Sequence, residues 1–428
     1  MNANPPLPIR DHNFLRLWIG QVLNQGGQRI YEISIVWWVL QSFGDQAGGT
    51  KVGLLLVTTA MPALLFFRPI GRLVDRLPRR GILLGSDGIA ASLLGAVALL
   101  LAASYFSLPL AYVFAFAFAT VQAVVNPTLN RALPEVVAES DLQEAVSFQA
   151  STQAMASFAG AALGAILIER LGIGGVALFA ATLYGVSFAI NASIRFRPQA
   201  AGAAAAPPEE VRARPVLQNH PRIKRMLIAF TCINFFSVPT LVVLPLYVDR
   251  VLGGSATLLG GLEACLWLGL VGGALLSPKL PKGGDIARVG FLTMTVFGIA
   301  LTIPGLVLSP WIAGISLASA GLALGVNNAR FIGHFQSEIP DEEKGRFFAT
   351  LQALVGAAFP LGYFAFGSLG DLLAPHTLWV AQGCGIGAVA LYFGWLARTR
   401  ESGVDGAPER LRTAPPRVAG SNIDEHLV

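Results

Sequence analysis

Gly71-Arg72-Leu73-Val74-Asp75-Arg76-Leu77-Pro78-Arg79-Arg80 is the stretch on which the reading of this chain turns: a glycine, an acid beside a base, then a closing basic pair. Residues 52–70 before it and 81–104 after it are apolar runs with one charged residue apiece, Arg68 and Asp87. A bilayer core of about 30 Å takes about 20 residues of helix, so both runs are long enough to cross it. The stretch between them reads as a short loop at a membrane surface. Its arginines anchor to headgroups, its acid can accept hydrogen bonds from a neighbouring helix N-terminus, and its glycine lets helices approach.

Working outward, the same apolar texture recurs. Of 428 residues 54% are hydrophobic and 13% charged, and the mean hydropathy is +0.60, against roughly 25% charged residues in an average soluble domain. Spanning segments are read near 14–40, 52–70, 81–104, 109–131, 143–168, 173–194, 225–248, 256–277, 288–308, 310–333, 347–371 and 375–397. The least apolar interval, 195–224, has the composition of a flexible linker. The expected organisation is therefore an all-α membrane protein of twelve helices: a six-helix bundle over 1–194, the linker, a second bundle over 225–397, and a disordered cytoplasmic tail over 398–428. Residues 1–12 carry no features of a cleaved signal peptide.

Lys and Arg favour cytoplasmic loops. Of thirty such residues, 26 fall on the side of the termini and linker; Lys51, Arg170 and Arg250 fall on the other, and Arg29 lies within a span. Both termini are thus expected in the cytoplasm, with the chain in the cytoplasmic (inner) membrane. The sequence pI of 9.3 comes from dispersed loop anchors rather than from one basic face, so no nucleic-acid partner is expected.

The halves echo each other: Pro134-Glu135 follows the fourth segment and Pro340-Asp341 the tenth, the prolines 206 positions apart. Repeated six-helix bundles are a recurrent transporter plan with the substrate site between them. The 71–80 stretch resembles the signature loop of the major facilitator superfamily. Within that superfamily the chain resembles the macrolide-efflux and enterobactin-exporter branch of proton-coupled drug exporters. That likeness rests on Leu17-Trp18-Ile19-Gly20-Gln21, on Leu133-Pro134-Glu135-Val136-Val137 with Asp141-Leu142-Gln143-Glu144-Ala145, and on Pro340-Asp341 with Gly345-Arg346. The resemblance implies the major facilitator fold, a cavity lined by segments 1, 4, 7 and 10, and a latch formed by Gly71, Asp75, Arg76, Arg79 and Arg80. The matching stretch of the second half, Ser277 to Lys282, lacks the acid–base pair. Two further departures are Gly27-Gln28, where many branch members carry an acid, and Gly160-Ala161, where proline often follows the glycine.

Independently of any family, segment 1 stacks Gln21, Gln25, Gln28 and Glu32 on one helical face. Polar side chains are costly in lipid, so this stripe should face a water-filled cavity or a partner helix. Gln122 and Asn126 in segment 4, Gln153 in segment 5, Asn234 in segment 7, and Asn327 and Asn328 in segment 10 extend the candidate cavity set. Intramembrane charges are few. Arg29 and Glu32, three residues apart, either neutralise each other or serve proton or substrate transfer. Asp87 is read as a gating contact to Arg72 or Arg76, and Glu263, about one to two turns into its segment from the outer side, as able to reach the interface; both are further proton candidates. Phe14, Trp18, Trp37, Trp38, Phe235 and Phe236 offer apolar contact to a substrate.

Cys232, Cys265 and Cys384 show no paired spacing, and the histidines are scattered, so neither a metal site nor a cofactor is expected. The strings expected of an ATP-driven pump or a hydrolase are absent. The expectation is a non-enzymatic, monomeric secondary transporter that exports a small amphipathic or hydrophobic compound, a drug, a macrolide or a siderophore-like molecule, by proton antiport with alternating access, its partners being that substrate, protons and membrane lipids. A lysophospholipid flippase of the same fold and a non-transporting membrane sensor remain the alternatives.

Overall fold

The computed structural model describes residues 11–44, 47–138, 141–194, 221–281 and 285–401. Most of the expected linker, 195–220, and the tail beyond 401 lie outside the described residues. Among the described residues thirteen α-helices run α1 His12–Phe43, α2 Gly48–Leu65, α3 Phe67–Arg76, α4 Arg79–Ala102, α5 Leu108–Val136, α6 Leu142–Ala192, α7 Pro221–Ser237, α8 Thr240–Arg250, α9 Ala256–Leu276, α10 Ile286–Leu306, α11 Pro310–Glu338, α12 Asp341–Leu372 and α13 Pro375–Glu401.

The ends of these helices follow from their residues. Asp11 caps α1 by accepting from the backbone N–H of Asn13 and Phe14 at 2.8 and 3.1 Å. Prolines open α5, α11 and α13, where the missing N–H has no partner to lose. α6 is 51 residues long, about 77 Å at 1.5 Å per residue, more than twice the bilayer core. It folds back at Gly172, whose φ of 64° and ψ of 175° are open to glycine alone.

Among the described residues, ten helical stretches are long and apolar enough to cross a membrane. α1, with 32 residues, is long enough but diluted by its polar stripe, and the break at Gly172 divides α6 into two helical stretches. Two boundaries differ from the sequence reading. The seventh segment is interrupted at Val238–Pro239 between α7 and α8, and Phe67–Arg76 is a short helix of its own after α2, so Gly71 to Arg76 are helical instead of forming a loop.

The first half packs α1 and α4 on α6, and α2 and α4 on α5; the second packs α10 on α13 and α11, α9 on α11, and α12 and α13 on α7. The second half is filled by phenylalanines, Phe230, Phe331, Phe335, Phe347 and Phe393, with ring centroids 5.1–6.4 Å apart. The halves meet along two seams, α2 against α12 and α6 against α9.

Candidate functional site

A cavity of about 300 Å³ lies between the halves, lined by Gln28, Arg29 and Glu32 of α1, Thr59 of α2, Gln122 and Asn126 of α5, Leu241 of α8, Glu263 of α9, and Phe359 and Tyr363 of α12. α1 reaches it because α6 has glycine where the two cross. A Cβ at Gly160 would stand 2.7 Å from Cβ of Arg29.

Arg29 is the centre of the site. Its guanidinium pairs with Glu32 at 3.3 Å, pairs across the boundary between halves with Glu263, and stacks over the Trp267 ring at 5.6 Å. Exposure separates the two acids: the Glu32 side chain is 30% exposed and that of Glu263 5%. Glu32 therefore faces the cavity while Glu263 is buried against the cation. Glu32 also accepts from Nε2 of Gln28 at 2.7 Å. With both acids ionised, the cluster carries one net negative charge.

A hydrogen-bonded chain leads from this cluster into the first half. Nε2 of Gln122 stands within reach of three acceptors, Oε1 of Gln28 at 2.9 Å, Oδ1 of Asn24 at 3.1 Å and the Tyr184 hydroxyl at 2.8 Å. It has only two hydrogens, so the network has more than one arrangement. Nδ2 of Asn24 donates to Asp87 at 2.8 Å, and Asp87 also accepts from Ser187 at 2.7 Å and Asn191 at 2.8 Å. Asp87 is 2% exposed. This overturns the expected gating contact with Arg72 or Arg76, because three neutral donors already hold both carboxylate oxygens deep in the bundle.

The other expected residues are dispersed. Gln21 is buried with Nε2 unpartnered, and Gln25 leaves its Oε1 unpartnered. Asn126 is exposed on the cavity wall. Gln153 is exposed on α6, away from the cavity, its carbonyl accepting from Ser157. Asn234 donates to the carbonyl of Phe230 in its own helix. Asn327 is fully buried and accepts from Thr293 of α10, and Asn328 lies on the same helix outside the lining. Among the described residues α11 contributes nothing to the lining; α2 and α12 take that place, since the polar positions of α11 serve packing in the second half. The expected aromatics are likewise elsewhere: Phe14 and Trp18 pack on Phe148, Trp38 on Phe43 and Phe106, and Phe235 and Phe236 on Phe366, while Trp37 is buried in the core.

The 71–80 residues form a cluster within the first half. Asp75 pairs with Arg131, Arg79 with Glu135 at 3.2 Å, and Arg80 donates to the carbonyl of Ala192. Arg76 is exposed. A Cβ on Gly71 would meet nothing within 4 Å, so the close helix contact expected there is not made in this conformation.

Thr59, Tyr184, Trp267, Phe359 and Tyr363 were missed. Trp267 follows Glu263 by four residues, and Phe359 precedes Tyr363 by four, so scanning for aromatics one turn from an intramembrane acid would have found the first but not the second.

The family model described as Major Facilitator Superfamily matches residues 17–363. Macrolide efflux protein A of Streptococcus pyogenes is 25% identical over 391 residues, covering 88% of this chain and 94% of the relative. The protein of that name from Enterococcus faecalis is 26% identical over 315 residues, covering 71% and 95%. Among solved structures, the D323A mutant of the nucleoside transporter NupG superposes with a TM-score of 0.74 at 11% identity, over 90% of this chain and 99% of that one. A D-xylose–proton symporter superposes with 0.68 at 14% identity, over 89% and 96%.

Proposed function

Because the chain belongs to the major facilitator superfamily of membrane transporters, we propose that it exports a small amphipathic or hydrophobic compound, of the macrolide class named for its relatives, by proton antiport with alternating access. Lys and Arg bias puts the termini in the cytoplasm, and the protein acts as a monomer in the cytoplasmic membrane.

The observation that carries this reading is a single cation held by carboxylates from both halves. Glu32, the more exposed acid, exchanges the proton. When Glu32 is ionised, the cavity holds one net negative charge beside apolar and amide walls, a setting for an amphipathic substrate. When Glu32 is protonated, Arg29 and Glu263 remain as a neutral pair, and the cavity loses its net charge. A conformational change that alters the access of Glu32 to water couples its proton occupancy to alternation. Arg29 and Glu263 position and tune Glu32; Asp87, joined through Asn24, Gln122 and Gln28, fixes the α1 face on which Glu32 sits. Asn126 and Gln28 supply hydrogen bonds to the substrate, and Asp75 with Arg131 belongs to the gate.

The test uses everted membrane vesicles and labelled erythromycin. Wild type should accumulate the label when a pH gradient is imposed, whereas Glu32→Gln should lose gradient-driven accumulation and keep exchange of label down its own gradient. A well-expressed Glu32→Gln protein that accumulates erythromycin at the wild-type rate refutes the proton role. Movement of a fluorescent lysophospholipid instead of erythromycin by wild type refutes the substrate class.

A further inference from the structure

On the face of the molecule opposite the termini, the two seams between the halves are closed in the same way. α2 begins at Ala47, which has no side chain to cap the helix. The cap comes from the other half: Asp371, at the end of α12, accepts the backbone N–H of Gly49 at 2.7 Å and of Thr50 at 2.9 Å. These are the second and third residues of α2, the donors a helix's own N-cap residue normally takes. α9 begins at Ser255, whose hydroxyl makes no cap either. There Glu169, on α6 of the first half, accepts the backbone N–H of Thr257 at 2.7 Å and its hydroxyl at 2.6 Å.

The two arrangements are related by the internal repeat. Thr50 and Thr257 are 207 positions apart, as are Gly53 and Gly260, so the same Thr-x-x-Gly string opens both capped helices. A Cβ at Gly53 would stand 2.6 Å from the carbonyl oxygen of Tyr363, and one at Gly260 would stand 2.7 Å from that of Ala161. Tyr363 and Ala161 are 202 positions apart, and so are Asp371 and Glu169. Each half thus offers a helix start with a bare glycine turn, and each supplies the carboxylate that completes the other's.

We propose that Asp371 and Glu169 are reciprocal helix caps that form the gate on this face and set the equilibrium between its closed and open states. When the seams part, both helix starts lose the acceptors for their N–H groups, and both carboxylates lose the positive helix ends that hold them. Glycines at the crossings are required so that the backbones come close enough for a side chain to reach the facing helix end. Because each cap joins opposite halves, each penalises separation rather than local unfolding. The inference rests on the alternating-access reading above.

The experiment places spin labels at Ser104 and Leu308, which lie in loops of this face on opposite halves, in a background lacking the three native cysteines, and reads their distance distribution. Asp371→Ala and Glu169→Ala should each raise the ratio of wide to narrow distances by roughly threefold to thirtyfold, the range for deleting a helix cap. The double variant should approach the product of the two, since the seams are separate. Asp371→Asn, which keeps one acceptor, should fall between wild type and Asp371→Ala. Loss of thermal stability with an unchanged distance distribution in both alanine variants overturns the gate. If erythromycin widens the distances in wild type but the cap variants do not, the gate fails while alternating access stands. If no condition gives a wide population, both fail.

Discussion

Replacing Arg29 by glutamine should harm the protein more than removing either of the acids it holds. Arg29 compensates two carboxylates, and one of them, Glu263, is only 5% exposed. Taking away the cation leaves that carboxylate buried without a counterion, a change that costs about 3–5 kcal/mol. Glu263→Gln is milder, because Arg29 keeps Glu32 at 3.3 Å; losing one hydrogen bond to a charged group costs about 1–3 kcal/mol. Glu32→Gln should be mildest, about 1 kcal/mol or less, since the side chain is 30% exposed and its pair is screened.

The assay is the thermal midpoint of purified protein in one detergent, read as the monomer remaining after heating. Arg29→Gln with Glu263→Gln together should recover most of the loss of Arg29→Gln alone, leaving a positive coupling in the double-mutant cycle. Acid should also rescue Arg29→Gln, because a proton neutralises the abandoned carboxylate, and the deficit should grow again as pH rises. An Arg29→Gln protein as stable as Glu263→Gln, with no acid rescue, would refute the claim that Arg29 holds the two halves through charge.

Asp75→Asn should impair erythromycin export while shifting stability by no more than about 1 kcal/mol, because Asp75 and Arg131 are 42% and 40% exposed; a thermal midpoint that collapses with transport would count against a gating role. Asp87→Ala leaves three buried donors, Asn24, Ser187 and Asn191, without their acceptor, and should destabilise by about 3 kcal/mol or more, a loss that the same heating assay measures. In the cysteine-free background, Gln28→Cys and Asn126→Cys should react with a water-soluble thiol reagent, whereas Asn327→Cys, buried between α10 and α11, should react only after unfolding. Rapid labelling at 327 would place that helix face in water after all.

Spans and repeat were legible because lipid imposes a single demand, about twenty apolar residues per crossing, and because polar residues stand out against that background. Of the stripe on α1, Gln28 and Glu32 line the cavity, while Gln21 and Gln25 do not. The same rule misled at Asn327 and Asn234. A polar side chain in lipid needs a partner, and a threonine on the next helix or a carbonyl one turn back satisfies it as well as water does. The gating contact expected for Asp87 fails for a related reason: its partners Ser187 and Asn191 lie 100 and 104 residues away along the chain, out of reach of any local reading. The Arg29–Glu263 pair spans 234 residues, and no periodicity within one helix reveals such a contact.

The contrast between what fills the two halves bears on how the protein should be handled outside its membrane. The first half is tied by Asn24, Asp87, Gln122, Tyr184, Ser187 and Asn191, whose bonds have no alternative partner in an apolar medium. The second is held by interlocking phenylalanine rings, and in lipid there is no water to drive such rings together; only close packing does so. A small, penetrating detergent competes with ring packing far better than with buried hydrogen bonds. The second half should loosen first on solubilisation, and long-chain amphiphiles that cannot enter between its helices are the choice for keeping the two halves intact together.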